Sequence, residues 1–588
     1  MEFRSPLCAL FMGAVCIAAS VSPVSAEPPK PQSPYHAETW VTGAHFMGAN
    51  GMYFGPEGKL HLASVVTSAL FIVDHESGSI LGMYGADKGV INPDDLAFNN
   101  EGLLCWTGIV PGKVGCITPE GEHYYVAELG ANTSGPNPIT FSDDGRLFVG
   151  ECFFGSEIYE VDPTGKHVNT PRLITEKRKL GSTDPSVIER CGFNGMDLGP
   201  DGRLYGPRWF EHEVSVMDVE SGSFDTWVDG FGAPAAVKFD NENRLHVIDS
   251  MTGEVFRIGS DKRKTLLATL PPGLDNLAFN REGRLFVSSY ANGFIAEVLL
   301  DNSANHDNIR WVTPPGLSMA GSATVSRWQG EDVLVISDYY SLKYYSLATG
   351  ELVHSATGIV NFVGGLGTVL SSSPAGEGKF LLTSWIDQQV KVWDENAEEL
   401  VVDLRGMGAP IDGVIFNGEI VYSEAASRSV LSIPAQQVDK LSPVTKYKAD
   451  GGSANGAIPA GLDVSEDQSL YMSEYGKQGR LLQLAEKGRW LASPRVINSE
   501  LSQAEGLHVR DGFAYIAETS SAQKGATVSR VSLTSGKKTA LASGLSAGIP
   551  APPGFPPTMI FTGITVADDG TIYVPSDMNK TIYRLTPR

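Results

Sequence analysis

Asparagine and aspartate recur at matching points of repeated segments in the first half of the chain. When six hairpin-like segments are aligned on their turns, the residue eight positions before the turn is Ala235 in one segment and polar in the other five. These five residues, which we call the mouth ring, are Asn50, Asp94, Asn137, Asn194 and Asp275. Carboxylate and amide oxygens that converge on one axis are typical ligands of a hard divalent cation such as calcium.

A structural explanation of the mouth ring also exists. Asparagine and aspartate often begin strands by bonding to nearby backbone groups, and any one of these residues, taken alone, fits that explanation. Five in register favour a metal or polar binding site, and Asn276, next to Asp275, adds a further oxygen ligand.

The elements that would position these residues are short antiparallel hairpins. Segments such as GPNPITFSDDGRLFVGE and GLDNLAFNREGRLFVSS each have an alternating apolar run, a turn and a second alternating run. Twelve such units can be counted, with turns near Gly58, Gly102, Gly145, Gly202, Asn243, Gly283, Asp332, Gly378, Gly418, Gln468, Gly512 and Gly570. Four-stranded repeats of this length predict the blades of a β-propeller.

Strand counting divides the twelve units into two groups of six. The last unit lacks an outer strand, while ETWV from Glu38 and IRWV from Ile309 precede a first unit and remain unassigned. If each closes its own ring, ETWV completes the sixth blade and IRWV the twelfth. The sequence therefore predicts an all-β chain of two tandem six-bladed β-propellers, at residues 36–307 and 308–588.

The N-terminus has the composition of a targeting segment. Arg4 precedes an apolar run, and Val24, Ser25 and Ala26 offer small residues before Glu27. This pattern predicts a secretory signal peptide at residues 1–26 and a Pro-rich tether at 27–35, hence a secreted or periplasmic protein. An uncleaved anchor is the alternative, and no later stretch is long and apolar enough to span a bilayer.

Composition limits the partners. The chain of 588 residues has a formal charge of −23 and lacks extended lysine and arginine clusters, which disfavours nucleic acid as a partner. Four cysteines follow the predicted signal peptide, an even number suited to an oxidising compartment. We expect Cys105 to pair with Cys116 across one hairpin, and Cys152 with Cys191 between neighbouring blades. Buried free thiols are the alternative.

At this point the sequence resembles a known group. Asn137 in GPNPITFSDDG, Asn194 in FNGMDLGPDG and the Asp275-Asn276 pair in LDNLAF are similar to blade-start motifs of the gluconolactonase/regucalcin family, with paraoxonases and diisopropyl fluorophosphatase as relatives. The resemblance covers about the first half of the chain. It implies a six-bladed propeller, a calcium ion at the channel mouth, and hydrolysis of lactones or related esters as small-molecule substrates.

Two departures from that family pattern concern the metal. The family's first blade supplies a glutamate before Gly-Pro, where this chain has Asn50-Gly51. The ligand aspartate of the fifth blade is replaced by Ala235, so the Asp275-Asn276 pair lies one blade late. Either the ion is shifted within the ring or this branch has lost tight metal binding.

Hydrolysis also needs a group that activates water. Asp94 or the adjacent Asp95 is the candidate base, because several carboxylates in one channel can raise the pKa of one of them. Arg208 is a candidate for holding a substrate carboxylate or assisting the oxyanion, or else it neutralises Glu151. The remaining candidates for substrate binding are His45, Glu151, Trp209, His212 and Asp249. For the histidines, surface loops are the simpler explanation, and Trp209 is as consistent with packing between blades.

The second half of the chain has a different pattern. Its strand-start positions are mostly small, with Asp412 and Glu505 as exceptions, and a second cation site or a protein-binding surface is open there. The second strands end in acidic residues in four blades, for which bonding between blades is the favoured explanation: Asp338, Glu424, Glu474 and Glu518. For the whole protein, the alternatives to a hydrolase are a non-catalytic binding platform and a lyase resembling virginiamycin B lyase, which would need a channel histidine.

Overall fold

The computed structural model describes residues 30–31, 35–131, 134–153, 155–175, 190–300, 308–358, 366–434, 442–449, 457–519, 525–549 and 558–588. The predicted signal peptide, most of the tether and residues 301–307 lie outside these ranges. The described chain is organised into twelve antiparallel sheets in two compact units. The predicted all-β fold of two six-bladed propellers is confirmed.

The first propeller occupies residues 44–316. Its six blades consist of the following strands: blade 1, Met52–Phe54, Leu60–Ser64, Ala69–Val73 and Ile80–Tyr84; blade 2, Pro93–Phe98, Leu104–Gly108, Lys113–Ile117 and His123–Glu128; blade 3, Pro136–Phe141, Leu147–Phe153, Ile158–Val161 and Arg172–Thr175; blade 4, Asp197–Leu198, Leu204–Arg208, Glu213–Met217 and Phe224–Asp229; blade 5, Pro234–Phe239, Leu245–Asp249, Glu254–Ile258 and Lys264–Thr269; blade 6, Leu274–Phe279, Leu285–Ser289, Ile295–Val298 and Ile309–Thr313. A short strand, Arg190–Cys191, also pairs with Leu147–Phe153, and a 3-10 turn covers Ala86–Lys88.

The second propeller contains residues 24–43 and 317–588. Its blades consist of the following strands: blade 7, Ala320–Trp328, Glu331–Asp338, Ser341–Ser346 and Leu352–Thr357; blade 8, Ser371–Pro374, Lys379–Ser384, Gln389–Asp394 and Glu399–Arg405; blade 9, Pro410–Phe416, Glu419–Glu424, Ser429–Pro434 and Val444–Lys448; blade 10, Ile458–Val464, Leu470–Tyr475, Gly479–Glu486 and Arg489–Leu501; blade 11, Ala504–Arg510, Phe513–Glu518, Ala526–Ser532, Lys538–Leu545 and Lys30–Pro31; blade 12, Thr565–Val566, Ile572–Ser576, Thr581–Pro587 and Tyr35–Thr42.

The two strands that close the propellers are exchanged relative to the sequence prediction. Tyr35–Thr42, which contains ETWV, pairs antiparallel with Thr581–Pro587 and completes blade 12. Ile309–Thr313, which contains IRWV, pairs with Ile295–Val298 and completes blade 6. The predicted assignment of these strands is therefore wrong, because both have the same alternating pattern and only pairing across the chain distinguishes them. The first propeller is inserted between the closing strand and the rest of the second.

The blades of each propeller form a closed ring. In both units the innermost strand of every blade contacts the innermost strand of the next, and the sixth returns to the first. Apolar clusters fill the space between neighbouring sheets, as in the group of Phe46, Leu62, Phe286 and Ile295. Packing between sheets therefore buries both faces of most blades, as expected for this architecture.

Hydroxyl groups join neighbouring blades at a repeated position. In six blades, the residue five positions after the hairpin turn is Ser or Thr, and its hydroxyl donates to an inner-strand carbonyl of the next blade at 2.5–3.1 Å. These residues are Thr107, Ser288, Ser337, Thr383, Ser423 and Ser473. An inner strand has one unpaired edge, and these bonds satisfy carbonyls on that edge.

The acidic residues at the ends of second strands in the second propeller serve structure. Asp338 accepts hydrogen bonds from the backbone N–H groups of Ser318 and Met319 and pairs with buried Lys343. Glu424 accepts from Gly408 N, and Glu518 accepts from Ser502 N and from Lys538. Glu474 likewise accepts from Tyr447 and Arg480. The explanation favoured from the sequence therefore accounts for all four carboxylates.

Two disulfide bonds occur in the first propeller. Cys105 and Cys116 join the second and third strands of blade 2. Cys152 is joined to Cys191, in the short strand that precedes blade 4. Both bonds therefore fasten elements close to the inner part of the first propeller.

Candidate functional site

The residues of the mouth ring lie where the inner strands of the first propeller begin. Regular pairing is interrupted there: register shifts occur between Pro93 and Leu96, between Pro136 and Ile139, and between Leu274 and Leu277. Asp94, Asn137 and Asp275 lie within these interruptions, as do Asp95 and Asn276. A bulge redirects side chains away from the regular alternation of a strand, which is why such irregularities often carry functional residues.

Four members of the mouth ring are buried and one is partly exposed. Asn50, Asp94, Asn137 and Asn194 are at most 9% exposed, whereas Asp275 is intermediate. Asn50 accepts a hydrogen bond from Val65 N at 3.2 Å, and its side chain also bonds to Asp275. Among the described residues, none donates a hydrogen bond to the Asp94 carboxylate. The ring thus contains two closely placed carboxylates and little to neutralise them.

This placement changes the acidity of both carboxyl groups. Burial, with the charges of Asp275 and Asp95 adding to it, raises the pKa of Asp94 well above its ordinary value. Burial and the charge of Asp95 raise the pKa of Asp275 to about 8, although the bond from Asn50 opposes this. Desolvation favours the uncharged acid, so the mouth ring can hold either protons or a cation.

Asp95 lies one residue further along the inner strand of blade 2 and is well supported. One carboxylate oxygen accepts from Leu96 N and from Asn276 Nδ2, and the other accepts from Ile139 N in blade 3 at 3.2 Å. Burial raises the pKa of Asp95 to about 6, while nearby Lys238 lowers it. Asp95 therefore links blades 2, 3 and 6 at the level below the mouth ring.

A deeper polar layer was missed by the sequence analysis. Lys238 of blade 5 is buried, lies 3.7 Å from Asp197 of blade 4 and donates to Met196 O. Its ammonium group also lies 5.9 Å from the centre of the Tyr53 ring. These residues stand three positions after the strand starts, so the same alignment extended by three residues would have identified a lysine among otherwise neutral or acidic neighbours.

Carboxylates of the inner strands also join neighbouring blades. Each accepts a backbone N–H from the next inner strand: Asp95 from Ile139, Asp197 from Phe239, Asp412 from Leu462, Asp463 from Val509 and Glu505 from Thr562. Asp94 and Asp275 have no such bond among the described contacts. This difference separates carboxylates that support the fold from those free to bind a ligand.

The remaining candidates from the sequence are dispersed. Arg208 forms ion pairs with Glu211 at 3.1 Å and Glu213 at 2.8 Å. The pairing of Arg208 with Glu151, expected as its structural role, is not needed to explain its position. Glu151 is buried and accepts from Glu157 N at 3.4 Å.

Loop residues make up the rest of the predicted set. Asp249 accepts four backbone N–H groups, from residues 232, 233, 251 and 252, and so orders the loop around it. His212 bonds through Nδ1 to Gly232 O at 2.6 Å, and His45 is exposed beside Phe46. Trp209 is buried next to Phe210. The mouth ring and Asn276 come together, whereas these residues have local partners of their own.

The donor set of the mouth ring fits a hard cation. It offers carboxylate oxygens from Asp94 and Asp275 and amide oxygens from asparagine, which are the ligands that calcium takes. Within the described ranges, no three histidine, cysteine, aspartate or glutamate side chains group together as a metal site. Any cation here would depend on the asparagines, and soft or imidazole-preferring metals are disfavoured.

Comparison with known proteins gives likenesses to propellers only. No family model matches the chain, and no curated protein matches it. No helix in the described part of the chain is long and apolar enough to cross a membrane.

Among solved structures, the chain is similar to virginiamycin B lyase from Staphylococcus aureus, with 16% identity and a TM-score of 0.35, over 51% of this chain and 95% of that one. It is also similar to a gluconolactonase from Xanthomonas campestris, with 15% identity and a TM-score of 0.35, over 45% of this chain and 93% of that one. A protein described as the extracellular domain of a hybrid two-component system from B. thetaiotaomicron matches at 12% identity and a TM-score of 0.32, over 94% of this chain and 83% of that one. These likenesses concern the architecture that the strands already define.

Proposed function

We propose that the mouth ring of the first propeller binds a divalent cation, calcium by the chemistry of its ligands, and that the protein hydrolyses a lactone or related ester there. The observation that carries this proposal is the pair of carboxylates, Asp94 and Asp275, in a buried ring where no described basic side chain pairs with them. Buried carboxylates without a partner are costly, and a bound cation removes that cost.

The residues of the chain have separate tasks in this proposal. Asn50, Asn137, Asn194, Asp275 and Asn276 would hold the cation, which supplies polarisation of the ester carbonyl when bound. Asp94 has a raised pKa and no described hydrogen-bond donor, so it is the group suited to accept a proton from water. Asp95 would keep blades 2, 3 and 6 in register beneath the site.

Activity with and without metal tests the proposal. Protein freed of metal by a chelator is assayed against gluconolactone, dihydrocoumarin and p-nitrophenyl acetate, before and after calcium is added. We expect calcium-dependent hydrolysis of at least one of them, and a loss of roughly 100-fold or more in kcat for Asp94→Asn, the usual contribution of a general base. Asp225→Asn, an exposed change on the outer strand of blade 4, is the matched control. Metal-free protein that neither binds calcium nor cleaves these esters would overturn the proposal.

A non-catalytic binding platform is the second candidate. It is favoured by the number of channel carboxylates that bond to the next blade, because these have a sufficient structural role. A lyase would need a histidine in a channel, and His508 lies in that of the second propeller. Calcium binding without hydrolysis, and with no product of elimination, would favour the binding platform.

A further inference from the structure

The channel of the second propeller contains a cavity of about 260 Å³. Side chains from the inner strands of blades 7, 8, 10, 11 and 12 line it, including Thr324, Ser373, Asp463, His508 and Thr565. Its lining includes exposed Asp568 and Pro374, near the ends of the inner strands. The cavity therefore opens at the end of its channel opposite to the strand starts.

Hydrogen bonds show which residues of the two propellers are equivalent. In blades 4 and 5, Asp197 accepts from Phe239 N, and the preceding residue, Lys238, lies 3.7 Å from Asp197. In blades 10 and 11, Asp463 accepts from Val509 N, and the preceding residue, His508, lies 3.6 Å from Asp463. The pair Asp463 and His508 thus stands where the first propeller has Asp197 and Lys238.

A second equivalent pair lies in the first blade of each ring. Tyr53 is opposite His61, three residues before the end of the second strand at Ser64. Thr324 is opposite Val335, three residues before the end of the second strand at Asp338. In the first propeller, Tyr53 and Lys238 approach each other and fill the channel. Threonine and histidine are smaller, and the space that they leave contributes to the cavity.

The lining is rich in groups that bond to hydroxyls. Ser371 donates to Asp412 at 2.5 Å, and the hydroxyls of Ser322 and Ser372 lie 2.9 Å apart. Burial lowers the pKa of His508 to about 4, so its imidazole is neutral near pH 7 and has one donor and one acceptor nitrogen. Serine, threonine and neutral histidine can all donate and accept, which suits a ligand with several hydroxyl groups.

The charges of the lining disfavour an anionic ligand. Asp412, Asp463 and Asp568 line the cavity, and Arg510, the basic residue among them, is paired with Asp568 at 2.9 Å. The Asp412 and Asp463 carboxylates each accept hydrogen bonds already, from Ser371 and Leu462 and from Val464 and Val509 respectively. They therefore do not require a cation, and their remaining lone pairs can accept hydroxyl donors. Leu507 and Phe561 add an apolar wall.

We infer that the channel of the second propeller binds an uncharged polyhydroxylated molecule of about monosaccharide size. Asp463 and His508 would bond to its hydroxyls at one side, while Thr324, Ser373 and Thr565 would bond at the other. Few polar groups on a largely preformed cavity fix the orientation of such ligands. This site is separate from the mouth ring and from the hydrolysis proposed there.

Direct binding to the full-length protein tests this inference. The probes are D-glucose, D-galactose, D-xylose and myo-inositol, studied by saturation-transfer NMR and calorimetry, with D-glucuronate as a probe that differs from glucose by one carboxylate. We expect at least one neutral probe to bind, and glucuronate to bind more weakly than glucose. No binding by any neutral probe, or tighter binding of glucuronate than of glucose, would overturn the inference.

Variants that copy the first propeller locate the site. Thr324→Tyr with His508→Lys introduces the residues that fill the first channel, and we expect affinity to fall roughly tenfold or more, as for other sites that lose hydroxyl partners. Thr324→Tyr alone is the second variant, for the case in which the double variant does not fold. Asp94→Asn, in the mouth ring, should leave sugar binding unchanged while it abolishes hydrolysis. Binding that survives the filling of the second channel would contradict the inference, whatever the outcome for hydrolysis.

Discussion

Calcium binding to the mouth ring should depend steeply on pH. The pKa of Asp275 is raised from 3.8 to about 8 by burial and by the charge of Asp95, so this carboxyl group is largely protonated below pH 8 in the metal-free protein. A cation must displace that proton, and affinity therefore rises with pH until Asp275 is ionised. For one such group, the dissociation constant at pH 6 is about 50-fold weaker than at pH 8, or about 2 kcal/mol. Asp94, whose pKa is also raised, steepens the dependence.

Calorimetry measures both the affinity and the protons released. Chelator-treated protein is titrated with calcium at pH 6, 7 and 8 in buffers of different ionisation enthalpy. We expect release of about one to two protons at pH 6, and Asp275→Asn should reduce the release by about one, because a single titrating carboxyl is removed. Asp225→Asn, on an exposed outer strand, should leave the release unchanged.

The refuting result is specific. If calcium binds with the same affinity from pH 6 to pH 8 and releases no protons, then Asp94 and Asp275 are ionised without a cation, and the desolvation argument is wrong. The same raised pKa has a consequence for stability. The protonated carboxyl contributes stability that is fully present below its unfolded pKa of 3.8 and is lost as the pH rises through about 8. Calcium should therefore raise the melting temperature more at pH 8 than at pH 5.

Three further predictions concern the supports of the site and the fold. Lys238→Met should leave Asp197 without its nearest cation and destabilise the first propeller by about 3 kcal/mol, seen as a lower melting temperature, whereas an unchanged melting curve would show the ion pair to be dispensable. Ser423→Ala should cost about 1 kcal/mol in chemical denaturation by removing a bond to the next blade, with exposed Ser260→Ala as the control, and equal losses would contradict the role of the hydroxyl. Replacing Cys152 and Cys191 with serine, which opens a loop of 39 residues, should cost about 4 kcal/mol by the chain-entropy estimate, and a loss below about 1 kcal/mol would show that packing alone holds this segment.

Much of the fold could be predicted because its signals are local. Turn residues such as Gly145 and Gly283, each with a positive φ, lie between alternating runs, and the repeat of these hairpins predicts blades without any long-range information. The hydroxyl position five residues after the turn could also have been found in this way. It needs only the same alignment, extended from the first strand of the hairpin to the second.

The parts that could not be predicted depend on pairing between distant segments. Glu38 bonds to Arg584, 546 residues away, and nothing in the local pattern of ETWV distinguishes that partner from blade 6. In the candidate site, the alignment identified the mouth ring, but a lysine in a strand, such as Lys238, has the pattern of an exposed residue. Its burial depends on Asp197 of the neighbouring blade, which the sequence does not place beside it.

The closing strand of blade 12 determines the order in which the two propellers can be completed during synthesis. Tyr35–Thr42 leaves the ribosome early, yet its partner, Thr581–Pro587, is among the last segments made. The first propeller, at residues 44–316, can form while the closing strand still lacks its partner. An unpaired strand edge of this kind is prone to wrong association, and the bulky, partly charged pair of Trp40 and Glu38 beside its apolar residues lessens that risk. The second propeller is therefore slow to mature by its topology, and the delay grows with the length of the domain inserted into it.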